Sequence, residues 1–435
     1  MTKGKGKKVD IVTLGCSKNL VDSEFLIKQF EANGIKVAHD ASEPEGEIAI
    51  INTCGFIGDA KEESINTILS FVEAKKRGDI KQLYVMGCLS ERYFNQLNQE
   101  LPEVDKFYGK FDWPNLVEEI GATYRRDLMN ERSLTTPDHY AYLKISEGCN
   151  RTCSYCAIPL ITGKHKSKSM SDLLNEARYL RDQGVKELQL IAQDLSFYGY
   201  DLDKSYQLPK LVDELSKIDG IEWIRLHYAY PAGFPMDVLK VMNDNPKVCN
   251  YLDIALQHIS DNMLKLMRRR VTKSQTYQLI EEMRRMVPGI HLRTTLITGH
   301  PGETEADFKE LLQFVEDARF ERLGVFPYSH EEDTYAYKKY TDDVPDDVKQ
   351  ERADAVMALQ NTISAQLNQE KINKTLKVII DRAEGDYYIG RTEYDSPEVD
   401  QEVLIRVDEK ELQIGDFYNV RILDAEDYDL FGSVE

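Results

Sequence analysis

Three of the seven cysteines of the chain lie within eight consecutive residues, and their spacing constrains the fold more than any other feature. Cys149, Cys153 and Cys156 follow the pattern C-x3-C-x2-C. Three soft thiolates on one tight loop can hold three irons of a four-iron, four-sulfur cluster and leave the fourth iron open to a cofactor or substrate. The alternative is a zinc site with His165 as fourth ligand, but the spacing matches no common zinc-finger pattern and a structural zinc shell is closed. The spacing therefore favours an iron–sulfur cluster with an open corner.

Length and composition indicate a soluble protein of several domains. At 435 residues, with 42% hydrophobic and 30% charged residues, the chain exceeds one ordinary domain. It contains no apolar stretch of about 18 residues, and the basic residues 1–8 lack the apolar segment of a signal peptide. An odd number of cysteines in such a chain favours thiols and metal ligands over disulfides, so we expect a cytoplasmic protein without a membrane partner. The net charge of −20 argues against a surface devoted to nucleic acid and favours a basic partner.

The first part of the sequence alternates between short apolar strands and helices, which predicts a parallel α/β sheet. Candidate strands are residues 9–14, 47–52 and 83–86, and each is followed by a cysteine beside a glycine. The carboxyl ends of parallel strands share one edge of the sheet, where ligands bind. Cys16, Cys54 and Cys88 are therefore predicted to converge and to hold a second cluster. The alternative for any one of them is a buried, inert thiol.

A second alternating series begins at Tyr140, after the polar residues 121–137, which we interpret as a linker. Six candidate strands (141–146, 187–192, 223–228, 251–256, 291–297 and 322–328) predict a partial or complete βα barrel with its chemistry at the carboxyl ends of the strands. The cysteine loop follows the first of these strands. Gln193 follows the second, and the turn from Gly299 to Glu303 follows the fifth. These polar groups and the glycine, which permits close backbone approach, make Gln193, Gly299 and Glu303 candidate cofactor contacts.

The last part of the chain predicts a long helix over residues 346–370 and then a small antiparallel β-barrel. Its candidate strands are 376–380, 387–392, 402–407 and 417–423. From Thr375 to the end there are six basic and seventeen acidic residues, a net charge of −11. A barrel that binds RNA needs clustered cations, because neutralising phosphates supplies most of the affinity. We therefore expect this module to suit a basic protein partner; the alternative is a solvated acidic surface without a partner.

The cysteine motif, with the aromatic Tyr155 before its last cysteine, resembles the signature of the radical S-adenosylmethionine enzymes. In that superfamily the open iron chelates the methionine part of the cofactor, and an electron from the cluster cleaves it to a 5′-deoxyadenosyl radical. Residues 14–24 (Leu-Gly-Cys-Ser-Lys-Asn-Leu-Val-Asp-Ser-Glu) and 52–57 (Asn-Thr-Cys-Gly-Phe-Ile) closely resemble the N-terminal domain of the methylthiotransferases. In that family three cysteines, here Cys16, Cys54 and Cys88, hold an auxiliary four-iron, four-sulfur cluster.

The resemblance covers nearly the whole chain. It implies an auxiliary-cluster domain over residues 8–124, a six-unit radical barrel over 135–364 and a TRAM domain over 367–435. Residues 296–304 match a loop on the cofactor side of the family's barrel, although His300 stands where phenylalanine is commoner. One branch of the family modifies adenosine derivatives beside the tRNA anticodon, and the other modifies an aspartate of the strongly basic small-subunit ribosomal protein twelve. Residues 15–24 and 256–260 resemble the ribosomal-protein branch, in agreement with the acidic terminal module.

The resemblance implies that one S-adenosylmethionine donates a methyl group to sulfur at the auxiliary cluster. A second one yields the radical that removes hydrogen from the aspartate β-carbon, and an electron donor such as flavodoxin or ferredoxin supplies the reducing power. The clusters and the cofactor carry this chemistry, so we predict no catalytic general base. Two alternatives stay open: a tRNA methylthiotransferase, and an iron–sulfur electron-transfer or scaffold protein that consumes no S-adenosylmethionine.

Overall fold

The computed structural model describes residues 7–41, 43–408 and 410–435. Most of the basic segment at residues 1–8 therefore lies outside the described residues. Within the described ranges, no helix is both long and apolar enough to cross a membrane. Two parallel α/β sheets and one closed β-barrel follow one another along the chain, which confirms the predicted fold class.

The N-terminal domain is a five-stranded parallel sheet with helices on both faces. Its elements are β1 Lys8–Thr13, α1 Ser17–Ala32, β2 Lys36–His39, β3 Ile48–Thr53, α2 Gly58–Arg77, β4 Gln82–Gly87, α3 Cys88–Arg92, α4 Phe94–Glu100, β5 Lys106–Phe107 and α5 Trp113–Glu119. The strand order is β2-β1-β3-β4-β5, and β3 at the centre is buried along its whole length. The sequence of a parallel strand that is covered on both faces is a continuous apolar run, and this pattern made β1, β3 and β4 predictable. The edge strands β2 and β5 are short and partly exposed, and sequence reasoning missed them.

The central domain carries six parallel strands in sequential order, as predicted. The strands and the hairpin of the cysteine loop are β6 Tyr140–Lys144, β7 Ser146–Glu147, β8 Lys166–Ser167, β9 Glu187–Ile191, β10 Trp223–Ala229, β11 Val248–Ile254, β12 His291–Thr298 and β13 Arg322–Pro327. The helices are α6 Ile158–Ile161, α7 Met170–Asp182, α8 Tyr200–Asp203, α9 Leu208–Ser216, α10 Asp237–Asp244, α11 Asp261–Leu266, α12 Lys273–Met286, α13 Glu305–Ala318, α14 Tyr335–Lys339 and α15 Asp346–Gln369. The order β13-β12-β11-β10-β9-β6 has no pairing between β13 and β6, so the barrel is partial and open on one side.

The C-terminal module is a closed five-stranded barrel. Its strands are β14 Thr375–Glu384, β15 Tyr387–Thr392, β16 Val403–Arg406, β17 Phe417–Ala425 and β18 Leu430–Val434. All pairs are antiparallel except β16 with β18, which is parallel. Sequence reasoning missed β18, the strand that closes the barrel by pairing with both β16 and β17.

The terminal module packs against the barrel at the amino ends of its strands, on the side away from the cysteine loop. Arg391, at the end of β15, is buried and donates to Glu187 at the start of β9 at 2.8 Å. The hydroxyl of Tyr251 donates to Asp400 at 2.9 Å. Cys249 is buried on the same side, in the core.

The polar segment 121–137 is a fixed connection between the first two domains and not a free linker. The guanidinium of Arg132 is completely buried and pairs with Glu24 of α1. The same guanidinium lies 3.1 Å from Glu176 of α7, which is also completely buried. A buried cation between two carboxylates from different domains fixes the orientation of the two sheets.

We predict that Arg132→Met lowers the free energy of unfolding by about 3–5 kcal/mol, because it leaves the buried Glu24 carboxylate without its cation and leaves Glu176 with Lys168 alone. Arg125→Met is the matched control from the same segment, since Arg125 forms an exposed pair with Asp127 and such pairs contribute about 0–1 kcal/mol. Guanidinium unfolding of both variants measures the difference. Equal losses in the two variants would contradict the role given to Arg132.

Candidate functional site

The three cysteines of the C-x3-C-x2-C motif lie on one closed loop at the carboxyl end of β6. The strands β7 and β8 pair antiparallel across the base of this loop. Gly148 has a φ of +79°, and a Cβ atom there would lie 2.3 Å from the carbonyl oxygen of Lys164, so only glycine fits. The N–H of Cys149 donates to the carbonyl oxygen of Gly163 at 3.1 Å. The loop therefore keeps the three thiols in one place.

The thiols of this loop oppose one another's ionisation. Burial raises the pKa of Cys149 to about 12, and the neighbouring Asp194 and Cys153 add to the rise. Burial also raises the pKa of Cys156, with contributions from Cys153 and Cys149. Such a donor set suits a positively charged iron–sulfur core, which stabilises all three thiolates together.

The zinc alternative has little support from the position of His165. Its ring is buried, with Nε2 at 3.1 Å from the Ser167 hydroxyl and the ring edge-on to Phe197. Among the described residues, no three His, Cys, Asp or Glu side chains are spaced to share one metal ion. Thiolates that hold a four-iron cluster bind separate irons, so they do not need that spacing.

Two arginines and a tyrosine that sequence reasoning missed surround Cys153. The guanidinium of Arg269 donates to the Cys153 sulfur at 3.3 Å and to the Tyr155 hydroxyl at 3.1 Å. The ring of Tyr230 lies between Arg151, at 4.1 Å from its centre, and Arg269, at 4.3 Å. Arg151 could have been noticed within the motif, whereas no local pattern marks Arg269 or Tyr230. The guanidinium of Arg269 therefore places a permanent positive charge beside a sulfur that becomes anionic when it binds iron.

The second group of cysteines forms where three strand–helix turns of the N-terminal sheet meet. Cys16 precedes α1, Cys54 follows β3 and Cys88 begins α3. Gly15 has a φ of +91°, and a Cβ atom there would lie 2.8 Å from the Cys54 sulfur. The glycine beside Cys16 thus permits the close approach of the first two turns. Cys54 and Cys88 are buried and Cys16 is exposed.

Asn19 joins the three turns of this sheet edge. Its side-chain amide donates to the carbonyl oxygens of Leu14 and Thr53, both at 3.0 Å. Its amide oxygen lies 3.6 Å from the Cys88 sulfur and accepts from the ammonium of Lys110 at 3.2 Å. Asn19 therefore holds the three turns together and also positions the buried ammonium of Lys110 near the cysteines.

The thiols of the second group also influence one another. Burial raises the pKa of Cys88 to about 12, opposed by Lys110 and reinforced by Cys16 and Cys54. Surrounding protein atoms oppose ionisation of Cys16 although it reaches solvent, but Lys18 and Lys110 outweigh them and lower its pKa. The three predicted residues are thus neighbours, and the site supplies cations for their thiolates.

The two groups of cysteines adjoin each other across the domain boundary. Cys88 packs in one buried cluster with Ala157 and Ile161. Ala157 directly follows Cys156 in the chain. A residue of the N-terminal group therefore touches the segment that carries the barrel group.

A buried chain of ion pairs runs between the groups and reaches Gln193. Asp22 accepts from Lys110 at 3.0 Å and also from Lys144. Lys144 donates to Glu147 at 2.9 Å, and the amide of Gln193 donates to the same carboxylate. Gln193 thus lies at the base of the cysteine loop.

The predicted residues Gly299 and Glu303 form one turn that contacts the cysteine loop. Gly299 has a φ of +74°, and its N–H donates to the Glu303 carboxylate. The intervening His300 lies with Nε2 at 3.0 Å from the Ser154 hydroxyl. Burial lowers the pKa of His300 to about 4, so the ring is neutral near pH 7. Cofactor binding by Gln193, Gly299 and Glu303 stays a prediction.

A cavity of about 760 Å³ lies where the N-terminal domain meets the carboxyl ends of the barrel strands. Residues from both domains line it, among them Phe56, Asp59, Tyr155, Gln257, Phe326 and Tyr328. Phe56 follows Cys54 by two residues, and Tyr155 lies between Cys153 and Cys156. The cavity therefore borders the segments of both cysteine groups and offers room for a substrate between them.

Comparison with known families matches all three parts of the chain. The model of the Radical SAM superfamily matches residues 143–315, that of the Uncharacterized protein family UPF0004 matches 8–109, and that of the TRAM domain matches 372–434. Among solved structures, the radical S-adenosylmethionine methyltransferase TsrM from Kitasatospora setae has a TM-score of 0.56 at 12% identity, covering 74% of this chain and 73% of that chain. At this identity the likeness concerns the fold alone.

Curated relatives match over nearly their full length. The ribosomal protein uS12 methylthiotransferase RimO of Bacteroides thetaiotaomicron is 64% identical over 430 residues, which cover 99% of each protein. The protein of the same name from Porphyromonas gingivalis is 62% identical over 428 residues, covering 98% of this chain and 99% of the relative. The chain therefore belongs to the radical S-adenosylmethionine methylthiotransferases, in their ribosomal protein uS12 branch.

Proposed function

We propose that the protein attaches a methylthio group to the β-carbon of an aspartate in ribosomal protein uS12 and consumes two S-adenosylmethionine molecules in doing so. One molecule donates its methyl group to sulfur at the N-terminal cysteine group, and the other serves as radical source at the barrel group. The observation that carries the proposal is the contact of Cys88 with the segment after Cys156 beside one shared cavity. Two separate redox or scaffold sites would have no need of this juxtaposition.

Each cysteine group is proposed to hold one four-iron, four-sulfur cluster, and the clusters with S-adenosylmethionine supply the one-electron chemistry that an unactivated carbon requires. The residues of the chain hold and shield the site. Arg269 donates to the Cys153 sulfur and offsets its negative charge, and Arg151 packs on the neighbouring Tyr230 ring and pairs with Asp194. No side chain is assigned the role of a general base, because ordinary bases cannot usefully deprotonate this carbon.

The charges of the terminal module favour a basic protein over tRNA as substrate. Of its six basic residues, Arg391 is buried against the barrel. Arg382 is bidentate to Glu402 at 2.6 and 3.0 Å, and Arg406 pairs with Asp408. Few cations remain for phosphates, whereas the acidic excess can attract and orient a basic protein. The electrons are proposed to come from a small reducing protein such as flavodoxin or ferredoxin.

We predict that Cys153→Ala lowers the iron content of the reconstituted protein to about half, because one of two clusters loses a ligand. Cys88→Ala should lose the other half, and the electron paramagnetic resonance spectra of the two variants should add up to that of the wild type. Cys249→Ala is the matched control, since Cys249 is buried among Trp223, Tyr251 and Ile379, and its iron content should not change. Full iron content in Cys153→Ala would contradict the ligand assignment.

We predict that anaerobic reaction with reductant, sulfide and S-adenosylmethionine adds a methylthio group to one aspartate of uS12 and to no nucleoside of tRNA offered in the same vessel. Mass spectrometry of both substrates provides the measurement, and Cys153→Ala should abolish the product. A product on tRNA alone would mean that the charge argument misjudges the terminal module. Cleavage of the cofactor with no product on either substrate would contradict the proposed substrate.

A further inference from the structure

Lys18 is a buried lysine at the junction of the two domains whose ammonium, within the described residues, has no carboxylate partner. Five lysines are buried in the part of the chain that the structure describes. Four of them donate to oxygen atoms of side chains: Lys110, Lys144, Lys349 and Lys371. Within the described ranges the ammonium of Lys18 has no such oxygen and lies 3.4 Å from the centre of the Tyr228 ring. The side chain is buried, but its ammonium is not among the fully enclosed polar atoms that lack a hydrogen bond, so it is open to an anion from a ligand.

The carboxylates near Lys18 are occupied by other cations. Asp22, one turn further along α1, is shared by Lys110 and Lys144. Asp253, on the neighbouring strand β11 of the barrel, lies 3.2 Å from Arg293. Both carboxylates close to this lysine are therefore already paired with other cations.

The surroundings of Lys18 place it beside the N-terminal cysteine group and inside the barrel at the same time. It is two residues from Cys16, and its ammonium reaches Tyr228 at the carboxyl end of β10. Tyr228 has a φ of +63°, a backbone conformation that bulky residues rarely adopt and that is often associated with ligand sites. The strained backbone presents the ring on which the ammonium rests.

The entrance beside this lysine has the opposite charge. A cavity of about 430 Å³ is lined by Cys16 and Ser17 and by two acidic residues, Asp40 of the N-terminal domain and Glu398 of the terminal module. An acidic cavity next to a lysine that has no carboxylate partner fits a basic polypeptide segment that carries one carboxylate.

We propose that Lys18 binds the side-chain carboxylate of the aspartate that is modified and so selects aspartate as the substrate residue. The inference rests on the proposed function and names a specificity residue for it. Because Lys18 lies close to Cys16, a carboxylate held there brings the adjacent β-carbon near the N-terminal cysteine group, where the methylthio group is to be delivered. A neutral asparagine would leave the ammonium unpaired.

The test compares a synthetic uS12 segment centred on the modified aspartate with the same segment carrying asparagine. Binding to the anaerobic, reconstituted enzyme is measured by fluorescence anisotropy for the wild type, Lys18→Met, Lys18→Gln and the control Lys36→Met, which removes an exposed charge from β2. A hydrogen-bonded ion pair predicts that the wild type prefers the aspartate segment by between about tenfold and a hundredfold. Lys36→Met should keep this preference, and both Lys18 variants, compared with the wild type at equal iron content, should lose it.

Several results would overturn the inference. The wild type could bind both segments equally, or a Lys18 variant could retain the preference. A Lys18 variant that keeps the preference but binds radiolabelled S-adenosylmethionine more weakly in equilibrium dialysis would assign the lysine to the carboxylate of the cofactor. Failure of the proposed function is a separate observation, because the wild type would then leave the aspartate of uS12 unmodified in mass spectrometry.

Discussion

The buried guanidinium of Arg132, between Glu24 of the N-terminal domain and Glu176 of the barrel, is the interaction on which the rest of the site depends. Each sheet could form its own cysteine group without the other, since each group lies at the carboxyl edge of its own strands. Two groups can act on one substrate only if those edges face each other. A buried cation between two carboxylates favours one domain orientation, because any other leaves charges buried without partners.

The two cysteine groups have different kinds of cation beside them. In the barrel group, Arg151 and Arg269 enclose the ring of Tyr230, and their planar guanidinium groups cannot lose their charge. In the N-terminal group the cations are Lys18 and Lys110, which are compact point charges on flexible stems. Rigid arginines suit a loop that is proposed to hold a cofactor, whereas the lysines lie where sulfur and the substrate are proposed to meet.

The terminal module is separated from the cysteine groups of the barrel yet reaches the proposed substrate entrance. Ion pairs such as Arg391 with Glu187 hold it at the amino ends of the barrel strands, away from the cysteine loop. The segment between β15 and β16 nevertheless brings Glu398 to the cavity beside Cys16. A module without catalytic residues can therefore contribute to recognition through charge.

The sequence by itself determined the three-part α/β and β-barrel fold and the grouping of six cysteines at the carboxyl ends of strands, because continuous apolar strands followed by glycine and cysteine are local patterns. That these cysteines hold clusters stays a prediction. The exact domain limits stay a prediction. The strands β2, β5 and β18 were missed because short, half-exposed strands carry no clear apolar period. Only the tertiary structure decided that segment 121–137 is a buried connection, that Arg269 contacts Cys153 and that Lys18, within the described residues, has no carboxylate partner. Each of these depends on residues that are distant in sequence, and burial and pairing of charge are properties of the packed molecule.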